Sequence, residues 1–282
     1  MYLFRRIADL QVFLKTERVN NRALGFVPTM GALHAGHLSL IQQALAQNEI
    51  TLASIFVNPT QFNDASDLKK YPRTPGKDLE KLAAVGCTAV FLPEVADIYP
   101  DGTDSNLSVD LGGLDTKMEG AKRPGHFDGV VQVVHRLLTI IEPQNLYMGQ
   151  KDYQQQLIIR RMVEQLNLPL NVCTVPTKRE DDGLAMSSRN VLLEPDIRSQ
   201  ATLLYHTLLE AKNRLTDGHT ATKIEQWAMD QLSQPGFRPE YFSIINGKTL
   251  EPITTSLPEH IVACTAVWAG AVRLIDNMIL RQ

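Results

Sequence analysis

The stretch Pro28-Thr29-Met30-Gly31-Ala32-Leu33-His34-Ala35-Gly36-His37 decides the predicted fold of this chain. A short apolar run at residues 24–27 precedes it, and apolar residues at helical spacing follow from Leu38 to Leu45. This order predicts a strand, a tight turn that contains glycine, and then an amphipathic helix.

Two histidines, His34 and His37, lie three residues apart at the predicted start of the helix, so both rings can face one ligand. We expect that ligand to be an anion, because the first N–H groups of a helix have no partner within it. Gly31 and Gly36 have no side chain to obstruct its approach. Two other interpretations stay open. In the first, the histidines are two zinc ligands, although no third His, Cys or carboxylate is nearby at metal spacing. In the second, the glycines only form a turn and the histidines are solvated.

The composition of the 282-residue chain is that of a globular protein with one large or two moderate domains. Its formal net charge of −3 provides no general surface for nucleic acid, so local basic residues must bind any phosphate. Residues 1–14 carry charges throughout, and the apolar stretch 130–141 is too short and too polar to span a bilayer. Three separated cysteines predict reduced thiols. We therefore expect a cytoplasmic protein that binds neither membrane nor nucleic acid.

The pattern predicts a helix at residues 1–18, a buried strand at Leu52–Val57 and an extended loop region at residues 99–125. It also predicts a helix at Phe127–Glu142 with an apolar stripe at Val130, Val134, Leu137 and Ile141. Strands and helices alternate over residues 1–175, which predicts a doubly wound, Rossmann-like parallel sheet of the α/β class.

Residues 176–282 differ: two helices, Pro195–Asp217 and Thr220–Gln234, are followed by three strands, which predicts a smaller α+β domain with Pro176 as a hinge. Ligands of parallel sheets gather at the carboxyl ends of the strands. The polar clusters of the first domain and its boundary each follow a predicted strand, at residues 28–37, 58–61, 149–152 and 176–189.

Three of these clusters carry further chemistry. The amides of Asn58–Phe62 suit a carboxylate or hydroxyl without adding charge, although an Asn-Pro turn alone has the same pattern. Gly149–Gln155 combines a glycine, a lysine and an aspartate at a helix start, which is typical of a phosphate and ribose site or of a solvated helix start. Lys178–Asn190 includes Met186–Arg189, whose two hydroxyls and guanidinium can bind phosphates, or it is a solvated loop.

The string Pro28–His37 resembles the HxGH signature of the nucleotidyltransferase and class I synthetase superfamily. In full it is similar to the pantoate–β-alanine ligase family, and three other blocks follow in family order: Phe56–Phe62, Gly149–Gln155 and Met186–Arg189, the last a variant of the KMSKS loop. The resemblance extends nearly end to end, including the closing Arg273–Asn277.

The resemblance implies roles for individual residues. Implied catalytic residues are His34, His37, Lys151, Ser187, Ser188 and Arg189. Implied ATP-binding residues are Met30, Gly31, Ala32, Leu33, His34, Ala35, Gly36, His37, Gly149, Gln150, Lys151, Asp152, Lys178, Met186, Ser187, Ser188 and Arg189. Gln61 and Gln155 would bind pantoate, and Gln61 also lies next to the β-alanine position. Asp78 would hold the Mg²⁺ that accompanies ATP, and Arg123 is a secondary candidate near the active site.

The resemblance also implies a reaction: ATP-dependent ligation of (R)-pantoate and β-alanine through pantoyl adenylate, with release of AMP and pyrophosphate, by a homodimer. The implied domains are a nucleotide- and pantoate-binding domain at residues 1–175 and a lid at 176–282. The alternatives are another HxGH nucleotidyltransferase, which would release only pyrophosphate, and a non-catalytic ATP sensor on the same fold.

Overall fold

The computed structural model describes residues 1–63, 65–103, 107–254 and 256–282. Its contacts divide the chain into two compact units. Unit 1 comprises residues 1–149 and 154–176, and unit 2 comprises residues 150–153 and 177–282.

Unit 1 is built on a six-stranded parallel sheet, which confirms the predicted α/β class. Its strands are β1 (Tyr2–Phe4), β2 (Leu24–Thr29), β3 (Ile50–Ile55), β4 (Ala89–Phe91), β5 (Asn145–Gly149) and β6 (Asn171–Val175). Their order across the sheet is β1-β4-β3-β2-β5-β6. All six residues of β3 are buried, as expected for an inner strand covered on both faces.

The strand order places three carboxyl ends side by side at one edge of this sheet. β2 lies between β3 and β5, and Thr29 at the end of β2 pairs with Ile55 at the end of β3. Because neighbouring parallel strands are about 4.8 Å apart, the segments that follow them start close together. The sequence predicts that ligands bind at this edge of the sheet.

The helices of unit 1 connect these strands. They are α1 (Ile7–Val19), α2 (Ala35–Gln47), α3 (Ala65–Lys70), α4 (Pro75–Ala84), α5 (Val95–Ile98), α6 (Met118–Lys122), α7 (His126–Ile141) and α8 (Tyr153–Gln165), with short 3₁₀ turns at Pro59–Gln61 and Leu114–Thr116. The predicted apolar stripe of α7, Val130, Val134, Leu137 and Ile141, is buried. Burial of this stripe fixes α7 against the rest of the unit.

Unit 2 combines three helices with an antiparallel sheet, which confirms the predicted α+β character. The elements are α9 (Pro195–Gln200), α10 (Leu203–Thr216), α11 (Ala221–Leu232), β7 (Phe237–Asn246), β8 (Ile261–Ala269) and β9 (Val272–Arg281), with a 3₁₀ turn at Asn190–Leu192. The core of unit 2 contains buried residues from α10, α11 and all three strands.

The structure differs from the sequence prediction in four places. Residues 1–18 contain strand β1 before the helix, because three apolar residues at the start pair with β4 at the sheet edge. The single helix predicted over residues 195–217 is two helices, separated at residues 201–202. Residues 150–153, predicted with the first domain, make their contacts in unit 2. In the described part of residues 99–125, the predicted extended loop includes α6.

Cys87, Cys173 and Cys264 form no disulfide among the described residues, in line with the predicted reduced thiols. Burial raises the pKa of Cys87 to about 11, so that thiol stays protonated near neutral pH. No helix in the described residues is both long enough and apolar enough to cross a membrane.

Candidate active site

The histidine turn, residues 30–37, joins β2 to α2 and is closed by its own two imidazoles. His34 is the N-cap of α2, and its Nδ1 accepts the Gly36 N–H at 3.1 Å. The Nδ1 of His37 accepts the His34 N–H at 3.4 Å, and the two rings lie 4.1 Å apart between centroids. The histidines thus form a capping box, which fixes the orientation of both rings at the start of the helix.

These bonds determine the tautomer of both histidines. A ring nitrogen that accepts a backbone N–H carries no proton, so the neutral forms of His34 and His37 are protonated at Nε2. Nε2–H is a hydrogen-bond donor, which is what a phosphate oxygen requires. A zinc site would instead need at least one more ligand, and the described residues contain no group of three His, Cys, Asp or Glu side chains that could hold a metal.

Three backbone donors of the histidine turn have acceptors within the protein. The Gly31 N–H is 3.2 Å from Oγ1 of Thr29, and the N–H groups of Ala32 and Leu33 donate to the carboxylate of Asp78. The sequence predicts that N–H groups of this turn face an anion, and these three donate to side chains of the protein. The imidazole Nε2–H groups of His34 and His37 are additional candidates for phosphate binding.

Gln61 lies beside this turn, held by a buried asparagine. Nε2 of Gln61 is 3.0 Å from Sδ of Met30, and its Oε1 accepts from Nδ2 of Asn58 at 3.2 Å. Asn58 is completely buried, and its Oδ1 accepts from the hydroxyl of Tyr99 at 2.8 Å. Two clusters separated in sequence, the turn after β2 and the amides after β3, are thus in direct contact.

The backbone of Gln61 is held by the segment that precedes α7. The Gln61 carbonyl lies 2.8 Å from Nδ1 of His126, which is buried, and 3.4 Å from a guanidinium nitrogen of Arg123. Nε2 of His126 and the Arg123 guanidinium are 3.0 Å apart. The side chains of Arg123 and His126 therefore both contact the backbone carbonyl of Gln61, the predicted pantoate-binding residue. The sequence alone did not single out His126.

A glycine in α7 allows the helix to approach this turn closely. A Cβ at Gly129 would stand 2.7 Å from the backbone nitrogen of Gln61 and closer still to the Thr60 carbonyl. The Gly129 carbonyl also accepts from Nδ2 of Asn58 at 3.0 Å. No local signal in the sequence marks this glycine, since it lies inside a regular helix.

We predict that Gly129→Ala displaces the Gln61 turn. We expect the free energy of unfolding to fall by about 1–3 kcal/mol, which is typical of overpacking. We also expect the KM for the predicted carboxylate substrate to rise more, relative to wild type, than the KM for the predicted nucleotide. Gly76→Ala in α4 is the matched control, because a Cβ at Gly76 meets no atom within 4 Å. Thermal unfolding and steady-state kinetics measure both effects. An unchanged KM in Gly129→Ala would show that the turn does not need this close approach.

The second predicted pantoate residue, Gln155, lies half-buried on α8. Its neighbour Gln154 is buried and holds unit 1 together: Oε1 accepts the Glu119 N–H at 3.0 Å, and Nε2 donates to the carbonyls of Leu114 and Lys117. Gln154 therefore has a structural role. The carboxamide of Gln155 makes no hydrogen bond within the described part of the chain.

In unit 2, the end of the chain holds the lysine segment Gln150–Tyr153. Nδ2 of Asn277 donates to the carbonyls of Gln150 at 3.0 Å and Lys151 at 2.7 Å, and Nε2 of Gln150 donates to Oδ1 of Asn277 at 3.2 Å. The Lys151 ammonium lies 3.7 Å from the carboxylate of Asp152. Because Asn277 is buried, these bonds fix the backbone from which Lys151 projects.

Strand β9 also holds the second predicted phosphate-binding segment, residues 178–189, through Arg179. The guanidinium of Arg179 bonds both oxygens of Asp276, at 2.6 and 3.1 Å, and donates to the Gly183 carbonyl at 3.0 Å. It also lies 4.5 Å from the ring centroid of Tyr205, a cation–π distance. Burial raises the pKa of the Asp276 carboxyl, and Arg179 opposes that rise. Adjacent residues of β9 thus hold two separate candidate segments of unit 2.

The serine block at the end of the 178–189 segment forms its own turn. The Met186 N–H donates to the Lys178 carbonyl at 3.0 Å, the Arg189 N–H lies 3.3 Å from Oγ of Ser187, and the Asn190 N–H donates to the Ser187 carbonyl. The bond at Lys178 uses its backbone carbonyl. Ser187 therefore starts the turn that carries Ser188 and Arg189.

Taken by themselves, the two units bring together different parts of the predicted site. Unit 1 assembles Met30, His34, His37, Gln61 and Asp78. Unit 2 holds Lys151 and the loop leading to Ser187 on neighbouring residues of one strand. A parallel sheet with an HxGH turn at the end of an inner strand defines the class: nucleotidyltransferases and class I synthetases.

Comparison with known proteins narrows this class. A family model for pantoate–β-alanine ligase matches residues 2–279. The pantothenate synthetase of Porphyromonas gingivalis is 45% identical over 280 residues, with 99% of each chain covered. The crystal structure of pantothenate synthetase from Thermus thermophilus superimposes with a TM-score of 0.93 at 40% identity, covering 100% of both chains. The pantoate–β-alanine ligase of Francisella tularensis, complexed with β-γ ATP and β-alanine, gives a TM-score of 0.82 at 34% identity over 99% of this chain and 98% of that one. The chain belongs to the pantoate–β-alanine ligase family.

Proposed function

We propose that this enzyme joins (R)-pantoate to β-alanine at the expense of ATP. The observation that supports the proposal within the structure is the contact between Gln61 and Met30, which joins the amide that we expect to bind the carboxylate to the turn that we expect to bind the nucleotide. A carboxylate can attack the α-phosphorus of ATP only if both substrates are held side by side. Family membership supplies the identity of the two acids.

The reaction has two steps. A pantoate carboxylate oxygen forms a bond to the α-phosphorus, and the bond to pyrophosphate breaks. The amine of β-alanine then attacks the acyl carbon of pantoyl adenylate, loses a proton and expels AMP. Neither step needs a covalent bond to the protein, so the side chains act by positioning and by stabilising charge.

The predicted residues divide this work between them. Nε2–H of His34 and His37 donates to phosphate oxygens as negative charge moves to the leaving group. Lys151 and Arg189 supply positive charge to the departing pyrophosphate, and the hydroxyls of Ser187 and Ser188 donate hydrogen bonds to it. The carboxamides of Gln61 and Gln155 hold pantoate, and Gln61 borders the β-alanine position. Magnesium would accompany ATP and would help to balance the negative charge of its phosphates.

Isotope transfer tests the proposed chemistry. Pantoate labelled with ¹⁸O in its carboxylate should give AMP that contains one ¹⁸O, because the attacking oxygen stays on phosphorus when the amine expels AMP. Omission of ATP, pantoate or β-alanine in turn should abolish pantothenate formation. Pyrophosphate release without AMP in the complete mixture would favour a nucleotidyltransferase. ATP binding without any pantoate-dependent turnover would favour a sensor.

Three further expectations belong to this proposal. Residues 1–175 act as the nucleotide- and pantoate-binding domain, and residues 176–282 act as a lid that protects the mixed anhydride from water. The enzyme works as a homodimer in the cytoplasm, without nucleic-acid or membrane partners. Light scattering should give twice the mass of one chain.

A further inference from the structure

The histidine turn is held by two charged residues of α4. The carboxylate of Asp78, 1% exposed, accepts the Ala32 N–H on Oδ2 at 2.9 Å and the Leu33 N–H on Oδ1 at 2.8 Å. The ammonium of Lys81 donates to the Leu33 carbonyl. Since Asp78 and Lys81 are three residues apart on one helix, they face the same side. Together they bind two N–H groups and one carbonyl of the turn. We call the pair Asp78 and Lys81 the α4 clasp.

The turn needs such support because its backbone is strained. Gly31 has φ +81°, and Ala32 has φ +49°, a left-handed conformation that an alanine rarely adopts. A Cβ at Gly31 would also stand 3.1 Å from Oδ2 of Asp78. A strained conformation persists only where its surroundings hold it, and the two N–H bonds to Asp78 are made at and just after this point.

The bonding of Asp78 does not fit a magnesium ligand. Both oxygens already accept backbone N–H groups, and Oδ1 also accepts the Thr74 hydroxyl at 3.2 Å. Magnesium requires oxygens that can join a nearly octahedral shell and usually keeps several waters, whereas this carboxylate is shielded from solvent. One lone pair of Oδ2 has no hydrogen bond assigned to it among the described residues, but a hydrated metal would have to reach it through a side chain that is only 1% exposed.

We propose that Asp78 and Lys81 are positioning residues, which hold residues 31–33 so that the His34 and His37 rings are correctly oriented, and that Asp78 does not bind the metal. The activity arm of this inference depends on the proposed function above. The structural arm does not depend on it.

Hydrogen–deuterium exchange tests the structural arm. In Asp78→Asn, the amide group turns a donor toward one of the two N–H groups, so we expect exchange of peptides covering residues 30–37 to accelerate at least 10-fold. Glu80→Gln, an exposed carboxylate on the same helix, should leave exchange unchanged. Lys81→Met should accelerate exchange as well, with Lys77→Met as its control. Lys81→Met also keeps the inference testable if Asp78→Asn does not fold. Unchanged exchange in a folded clasp variant would overturn the proposal.

Magnesium dependence separates positioning from metal binding. We expect Asp78→Asn to lower kcat for pantoate-dependent pyrophosphate release about 10- to 100-fold, with the half-saturating Mg²⁺ concentration within 2-fold of wild type. The variant should also bind Mn²⁺, followed by electron paramagnetic resonance in the presence of ATP, as wild type does. A 10-fold rise in half-saturating Mg²⁺, or weaker Mn²⁺ binding, would assign Asp78 to the metal. If wild type has no pantoate-dependent turnover, the proposed function fails, and the exchange and Mn²⁺ results still decide the role of Asp78.

Discussion

His37→Ala is expected to lower the rate of pantoyl-adenylate formation by about 10²–10³-fold, the usual effect of removing one donor to a developing charge. Its affinity for ATP should change much less, because the other groups proposed to bind the nucleotide are unchanged. Rapid-quench measurement of pyrophosphate from ATP and pantoate, without β-alanine, isolates this step. His219→Ala, at an exposed histidine of unit 2, is the control and should behave as wild type.

Two further substitutions distinguish the roles of the two ring nitrogens of His37. The alanine variant also removes the acceptor of the His34 N–H, so its effect mixes chemistry with loss of the cap. Asparagine has an oxygen that can replace Nδ1 but no donor at the place of Nε2, so His37→Asn should be as slow as His37→Ala. Glutamine can place an N–H near Nε2, and His37→Gln should recover part of the rate. A fast asparagine variant would refute the role of Nε2–H.

Arg179→Met is expected to lower the unfolding free energy of unit 2 by about 3–5 kcal/mol, because it leaves a buried carboxylate without its cation. The Asp276 side chain is 2% exposed and the Arg179 side chain 18%, with a shortest N–O distance of 2.6 Å. Both tryptophans, Trp227 and Trp268, lie in unit 2. Their fluorescence during urea denaturation therefore reports on this unit.

A second Arg–Asp pair in unit 2 provides a matched control. Arg198 and Asp182 have the same shortest N–O distance of 2.6 Å, but their side chains are 30% and 41% exposed. Since solvent screens such a pair, Arg198→Met should cost only about 0–1 kcal/mol. The double variant Arg179→Met/Asp276→Asn should recover much of the loss, because it also removes the buried charge. Equal losses in the two single variants would contradict the importance of burial.

The stability deficit of Arg179→Met should also depend on pH. Burial raises the pKa of Asp276, and the loss of Arg179 raises it further. Between the unfolded and the folded pKa, the folded state binds more protons, so stability falls as pH rises through this window. We therefore expect a smaller deficit at acid pH than at alkaline pH. A deficit that grows toward acid pH would contradict this assignment.

The sequence contains enough information for the sheet and for the polar segments at its edge. The apolar runs at 24–27 and at Leu52–Val57 fall largely on inner strands, and the order strand, turn, helix around His34 follows from local pattern alone. β1 was missed because three apolar residues before an amphipathic helix match the helical pattern, and only pairing with β4 makes them a strand.

The groups that hold the candidate residues could not be predicted, because their bonds join distant parts of the chain. Asp78 is 46 residues from Ala32, and Asn277 is 126 residues from Lys151. The sequence singled out Asp78 for magnesium, whereas its oxygens accept N–H groups of the histidine turn. Such pairings depend on strand order and helix packing, which local periodicity does not encode.

The tetrapeptide Gln150–Tyr153 has a consequence for dividing this protein into fragments. The chain passes between the units after residues 149, 153 and 176, so no single cut separates them. A fragment starting at Thr177 would remove the carbonyl partners of Asn277 and the Tyr153 hydroxyl that donates to Gly247. Each buried polar group left unmatched costs about 1–3 kcal/mol. A recombinant carboxyl-terminal half should therefore be insoluble or poorly folded unless these four residues are supplied, for example as an added peptide.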